Sequence, residues 1–346
     1  MENARFRRTV DNQMIDQTLL LSGGAVLAGL ALLVWGADQF ITGAAALADN
    51  LGVPPMLIGL TIVGFGTSAP EILVSGTAAL EGNPGLAIGN ALGSNIANIG
   101  LILGVTALVI PLSIHSRTLQ REYPVLLAVS LVTWMLMADG SLDLIDGMVL
   151  LAGLAGVIFW MIRLALSGGP VEDPMVAEFE AEIPHAVPTP KATLLLLLGL
   201  AALLVSSKTL VWGASNIAEA FGVSDLVIGL TIVALGTSLP ELAASITSAF
   251  KGEDDIALGN IIGSNMYNLL AVLSLPGVFA PGLFAPEVLT RDLPMMMGLT
   301  VAVFLIGYGF IGAKRRINRF EGILLLSAFI GYQSVLFYQL SGQATQ

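Results

Sequence analysis

The chain has 346 residues, of which 55% are hydrophobic and only 11% charged, against roughly 25% charged in a soluble globule. That balance places it in a bilayer, and its net charge of -11 argues against a nucleic-acid partner. It has no cysteine, which excludes disulfides, thiolate metal sites and thiol catalysis.

The chain opens with MENARFRRTVDNQMIDQT (1–18). The apolar run that follows is longer than the roughly 7 to 15 residues of a signal-peptide core, so the segment reads as an uncleaved tail. Apolar stretches then fall at 19–50, 55–80, 85–110, 124–138, 144–167, 192–221, 225–250, 255–278, 293–312 and 321–340. Most approach the roughly 20 residues needed to cross a hydrocarbon core of about 30 Å, although the fourth is short. The first and sixth, at about 30 residues or roughly 45 Å, must tilt or protrude. The expected fold is an all-α membrane protein of ten transmembrane helices, in two five-helix units at 19–167 and 192–340. A tail at 341–346 follows. The intervening 168–191 is rich in proline and acid. Its Glu172, Asp173, Glu178, Glu180 and Glu182 lack the glycine-punctuated alternation of a calcium-binding loop and read as a solvated linker.

The two units are copies. Ile58 to Glu71 (IGLTIVGFGTSAPE) and Ile228 to Glu241 (IGLTIVALGTSLPE) agree at 11 of 14 positions. GNALGSNIAN and GNIIGSNMYN, from Gly89 and Gly259, agree at 6 of 10, at the same offset of 170. Five is odd, so matching helices run in opposite directions and the halves form an inverted repeat. Such repeats hold their binding site near the bilayer midplane, where the halves meet. Nine Lys and Arg residues fall on the side reached after odd-numbered spans and four on the other, with Lys208 within a span. The positive-inside rule then puts both termini outside and the linker in the cytoplasm of a multi-pass cell-membrane protein, with the basic N-terminal tail pulling the other way.

Pro70 and Pro240 cannot donate to the carbonyls of Gly66 and Gly236, so each helix is interrupted and backbone oxygens are released inside the membrane. Glu71 and Glu241 follow directly. A carboxylate at that depth costs about 2.5 to 3.5 kcal/mol or more without a partner, which marks it as functional. Thr67 and Thr237 precede them by four residues, on the same helix face. Ser94 and Asn98, and likewise Ser264 and Asn268, repeat that spacing in the next span. These side chains offer oxygens alone, the ligand set of hard cations such as Ca²⁺. Gly89, Gly93, Asn90 and Asn95 suit close packing and interhelical hydrogen bonds instead. Asp38 and Lys208 occupy equivalent repeat positions with opposite signs and read as gating or structural charges outside the site. His115 and His185 read as solvated loop residues, and Met295 to Met297 as lipid-facing or core filler. Neither a nucleophile with its base nor a phosphate loop is visible, and nothing in the sequence calls for an obligate protein partner or a cofactor.

GTSAPE with GNALGSN, and GTSLPE with GNIIGSN, resemble the two alpha-repeats of the cation/calcium exchanger superfamily, most closely its prokaryotic sodium/calcium antiporter branch. The likeness spans almost the whole chain. It implies Na⁺/Ca²⁺ exchange by alternating access, with the bilayer and the two ions as partners. It also implies a diamond of cation sites at Thr67, Ser68, Glu71, Ser94, Asn98, Thr237, Ser238, Glu241, Ser264 and Asn268, joined by the backbone oxygens of Gly64 and Ala234. Some members have an aspartate where this chain has Asn268, which limits the site to two carboxylates. Proton-coupled calcium exchangers have a glutamate in a GNxxE pattern where this chain has Gly93 and Gly263. That lowers, without removing, the alternative of a Ca²⁺/H⁺ or other divalent exchanger. A channel or a non-transporting scaffold stands further off.

Overall fold

The computed structural model describes residues 2–166, 180, 183–184, 187–309 and 316–343. Glu172, Asp173, Glu178 and Glu182 of the linker, with His185, Lys314 and Arg315, lie outside them. The described chain is almost entirely helical, and its breaks recur at the offset of the sequence repeat. Helices Ala69–Leu80 and Pro84–Ala97 of the first half match Leu239–Lys251 and Asp254–Tyr267 of the second. The first long helix runs from Glu2 to Asn50, so its backbone carries the N-terminal tail and the first apolar stretch without a break; its counterpart is Thr189–Phe221.

Among the described residues seven helices are long and apolar enough to span a membrane, and Asp225–Thr237 with Leu239–Lys251, bent by 42°, makes an eighth if taken as one span. Two of the ten apolar stretches fall outside that count for physical reasons. Residues 55–80 are cut into short pieces of which Ala69–Leu80 is the longest, and Arg117–Met137 carries Arg121 and Glu122 near its start.

Pro84–Val109 and Asp254–Phe279 form the hub, with 78% and 89% of their most apolar windows buried against 28% and 39% for the two long helices. The long helices lie outside the hub and cross each other through small residues. A Cβ on Gly36 would come 2.9 Å from Ala202 Cβ, and one on Gly213 2.7 Å from the Ser22 carbonyl. Such contacts let helix backbones approach where lipid gives no hydrophobic drive for association. Leu20, Leu27, Leu197, Val205 and Phe337 are exposed, as a lipid-facing surface requires.

Two short antiparallel ribbons tie the halves together. Leu112–Ser113 pairs with Arg316–Ile317, and Ser141–Leu142 with Gly282–Leu283. Each ribbon draws one strand from each half, so the repeats are interlocked.

Candidate cation site

The GTS-x-PE segments break their helices at the serine before the proline. Ser68 has φ -84°, ψ 0° and Ser238 φ -85°, ψ 8°, outside helical values, and a new helix begins at the next residue. Pro70 and Pro240 sit in the first turns of those helices, where their missing N–H costs nothing. Glu71 and Glu241 share the same first turns, at the positive end of the helix dipole. Proline thus ends one helix, starts another and fixes a carboxylate at the break. A second irregularity follows in each half: π-helical segments Asn98–Leu103 and Asn268–Val272 open on the two predicted asparagines. Single π turns inside α-helices recur at functional sites.

All ten predicted side chains are buried. Thr67 Oγ1 donates 3.2 Å to the Gly64 carbonyl, and Thr237 Oγ1 lies 3.3 Å from that of Ala234. Thr67 also reaches Asn260 Oδ1 at 3.2 Å and Ser264 Oγ at 3.3 Å, while Thr237 reaches Asn90 Oδ1 at 3.0 Å. Ser238 donates to Glu71 Oε1 at 3.2 Å, and Ser264 to Glu241 Oε1 at the same distance. Most of these contacts join one half to the other. Asn98 Nδ2 donates to Asn265 Oδ1 at 3.0 Å, again across the halves.

Ser68 Oγ, Glu71 Oε2, Ser94 Oγ, Asn98 Oδ1, Glu241 Oε2 and Asn268 Oδ1 are buried and have no hydrogen-bond partner among the described residues. A buried polar atom left unpaired costs about 1–3 kcal/mol, and more if charged. Six such oxygens on the two copies of the motif fit a cation as the missing partner. Of the two backbone oxygens, that of Ala234 also accepts from the Ser238 main-chain N–H at 3.1 Å, so both of its lone pairs are engaged. Among the described residues no three His, Cys, Asp or Glu side chains gather as a resident metal centre would require. The oxygen set suits a hard cation held by two carboxylates and neutral groups.

Asn90 and Asn260 belong to this network, although the sequence assigned Asn90 to packing. Asn90 does both: its Nδ2 donates to the Glu71 carbonyl at 3.2 Å and to Ser75 Oγ at 2.9 Å, while its Oδ1 holds Thr237. The available signal was its recurrence as Asn260. Gly89 and Gly93 are packing positions as expected. A Cβ on Gly89 would overlap the Leu226 carbonyl, and one on Gly93 would lie 2.7 Å from Ala234 Cβ. His115 is exposed, its main-chain N–H donating to Asp255 Oδ1 at 3.0 Å, and Met296 is fully buried core.

A cavity of about 670 Å³ leads to the site from one side. Its lining includes Ile183 and Pro184 of the linker, Thr247 and Ser248, and, from the site region, Gly64, Thr67, Asn260 and Gly263. At about 30 Å³ per water, it admits a hydrated ion. At the repeat-related positions there is packed apolar side chain instead: Val74, Ala78, Leu86, Val211 and Val233 are fully buried in one cluster. Thr77 and Ser207 hydroxyls meet there at 3.3 Å, and Asn83 Nδ2 donates to Ser215 Oγ at 3.0 Å.

Comparison with known proteins agrees with this geometry. The family model for "Sodium/calcium exchanger protein" matches residues 21–163 and 191–338, one match on each half. A relative from Alkalimonas amylolytica named antiporter CaxA is 52% identical over 90% of this chain and 97% of its own. The sodium/calcium exchanger MaX1 of Methanosarcina acetivorans is 32% identical over 90% of this chain and 97% of its own. Among solved structures, the sodium-calcium exchanger NCX_Mj soaked with 10 mM Na⁺ and zero Ca²⁺ superposes with a TM-score of 0.65 at 33% identity, covering 91% of this chain and 99% of that one. With both halves matched and the doubled motif built into a cross-half oxygen cluster, the chain belongs to the sodium/calcium exchanger family, in the prokaryotic branch of the cation/calcium exchanger superfamily.

Proposed function

We propose that this protein is a secondary antiporter that exchanges Na⁺ for Ca²⁺ across a cell membrane by alternating access. The observation that carries the proposal is a buried oxygen cluster with two carboxylates, reached by a cavity on one side, with apolar packing at the repeat-related positions. Thr67, Ser68, Glu71, Ser94, Asn98, Thr237, Ser238, Glu241, Ser264 and Asn268 supply the ligands, with the Gly64 carbonyl. The ions compete for Glu71 and Glu241, and the first and sixth spans slide or rock to exchange the open side for the closed one. No cofactor takes part. Calcium uptake into proteoliposomes tests this directly. An outward Na⁺ gradient is expected to drive it, and uptake indifferent to Na⁺ but driven by a proton gradient would replace sodium with protons. The crowding at Gly93 disfavours proton coupling through a glutamate at that position.

We further propose ten spans in two inverted repeats, with both termini outside and the linker cytoplasmic. The recurrence of the helix starts at Ala69 and Leu239, Pro84 and Asp254, and Asn98 and Asn268 at the same offset supports the repeat, and the lysine and arginine asymmetry supports the orientation. The cysteine-free chain allows single labels at Thr9→Cys and Thr189→Cys. An impermeant reagent applied outside is expected to reach the first and spare the second, and the reverse pattern would invert the topology.

A further inference from the structure

Asp38 and Lys208 occupy the same position in the two long helices, 170 residues apart with opposite signs. Both are exposed, and neither belongs to the ligand cluster. Asp38 lines the cavity that leads from the linker to Thr67 and Asn260, and Glu122 lines it too. The repeat counterpart of Glu122 is Asp292. Arg291 Nε and Nη2 meet its carboxylate at 2.6 and 3.1 Å, and Tyr332 donates to it at 2.7 Å. The repeat relation therefore assigns the carboxylate of Asp38 to the linker-side route and the ammonium of Lys208 to the opposite route.

We propose that Asp38 is a cation-concentrating group of the linker-side access route, and that Lys208 is its repelling counterpart on the other. The inference rests on the cation site proposed above. A fixed charge in a water-filled approach raises the local concentration of a cation by a Boltzmann factor, and that factor for a divalent ion is the square of the one for a monovalent ion. A single carboxylate about 10 Å from the ion path in water concentrates Ca²⁺ by about fourfold and Na⁺ by about twofold, less as salt screens it. Asp38 thus favours Ca²⁺ over Na⁺ on the linker side, and Lys208 disfavours Ca²⁺ on the other. The equilibrium set by the ion gradients is unchanged; what changes is the concentration that half-saturates each face. The exchanger is then kinetically lopsided, taking Ca²⁺ most readily from the linker side.

The test measures half-saturating Ca²⁺ and Na⁺ at each face of reconstituted vesicles in low salt, with the faces assigned by labelling Thr189→Cys. Asp38→Asn is expected to raise half-saturating Ca²⁺ about fourfold and Na⁺ about twofold at the linker face alone, with the maximal rate retained. The shift should shrink on adding an inert salt, and Asp38→Glu should behave as the parent. Lys208→Gln is expected to lower half-saturating Ca²⁺ at the opposite face alone. No shift in Asp38→Asn, equal shifts at both faces, or equal factors for the two ions would overturn the proposal. A variant that loses transport altogether is checked for intact folding by size-exclusion profile, and loss with a native profile also overturns it. Failure of the underlying site shows up separately, as exchange that survives Glu71→Gln.

Discussion

The two halves carry the same ion-binding motif in opposite settings. Around the first copy the helices are closed: Gly93 is pressed against Ala234 and Leu230, and Leu86 and Val74 are fully buried. At the second, Gly263 borders the cavity, and a Cβ there would meet no atom within 4 Å. The carboxylates differ likewise. Glu71 is held across the halves by Ser238, and Glu241 within its own half by Ser264. One motif is thus compatible with both an open and a sealed environment. In an inverted repeat, a change of access then amounts to the halves trading environments, and packing rather than motif chemistry decides which side is open.

The largest effect is expected where the halves are alike. Glu71→Gln and Glu241→Gln should each lower sodium-driven calcium uptake by about 100-fold or more while the protein remains inserted and monodisperse, since Ca²⁺ would face one carboxylate where replacement water is scarce. Near-normal uptake by either variant would remove that glutamate from the site.

The glycines should separate where the glutamates do not. Gly93→Ala inserts a methyl into a packed contact and should lower the stability of the linker-open form by about 1–3 kcal/mol, read as a lower melting temperature. Gly263→Ala has room in that form and should leave the melting temperature unchanged. It should nonetheless slow exchange strongly, because closure of the linker side brings Gly263 into the crowded setting that Gly93 has now. Equal melting losses in the two variants would show that the open and closed sides are not related by the repeat.

A smaller effect should come from the tethers on the closed side. Thr77 meets Ser207 there, whereas their counterparts are Thr247 and Ala37, a pair that cannot form the same bond. Closing the linker side gains no equivalent. Ser207→Ala should therefore cost the linker-open form about 0.5–1.5 kcal/mol, a shift of about two- to twelvefold in the balance of states. Labelling of Val74→Cys in the closed cluster should speed up by that factor in the Ser207→Ala background, and unchanged labelling would show the tether to be neutral.

The sequence made the chemistry more legible than the conformation. Glu71 and Glu241 stood out because a charge in apolar sequence has few structural explanations, and the prolines beside them announced the helix breaks that the backbone shows at Ser68 and Ser238. Asn90 and Asn260 were hidden because an amide in a glycine-rich helix has the same signature whether it packs or ligates. Glu122 lines the cavity only through tertiary placement, although Arg121-Glu122 recurs as Arg291-Asp292. Which side is open could not be read at all, because the repeat is nearly the same in both halves and the difference lies in packing. The span count was blurred for a related reason: residues 55–80 are broken by the elements that build the site.

Asn268 offers the finest distinction between the halves and the ions. It is fully buried, and neither atom of its amide has a hydrogen-bond partner among the described residues. Two glutamates balance one Ca²⁺ or two Na⁺, so a third Na⁺ would be solvated by neutral oxygens such as Asn98 Oδ1 and Asn268 Oδ1 with its charge uncompensated. Exchange of that kind carries net positive charge with sodium and responds to the membrane potential by about 2.3 kcal/mol per charge per 100 mV, about 50-fold in the equilibrium ratio. An imposed potential is therefore expected to drive calcium flux in vesicles at fixed ion gradients. Asn268→Asp adds the missing charge, and its benefit falls on the fully sodium-loaded state, since Ca²⁺ is already balanced. Half-saturating Na⁺ should fall several-fold while half-saturating Ca²⁺ moves by less than about twofold. A coupling of two Na⁺ per Ca²⁺ with flux indifferent to potential would make the exchange electroneutral, and Asn268 would then be a structural amide like its neighbour Asn265.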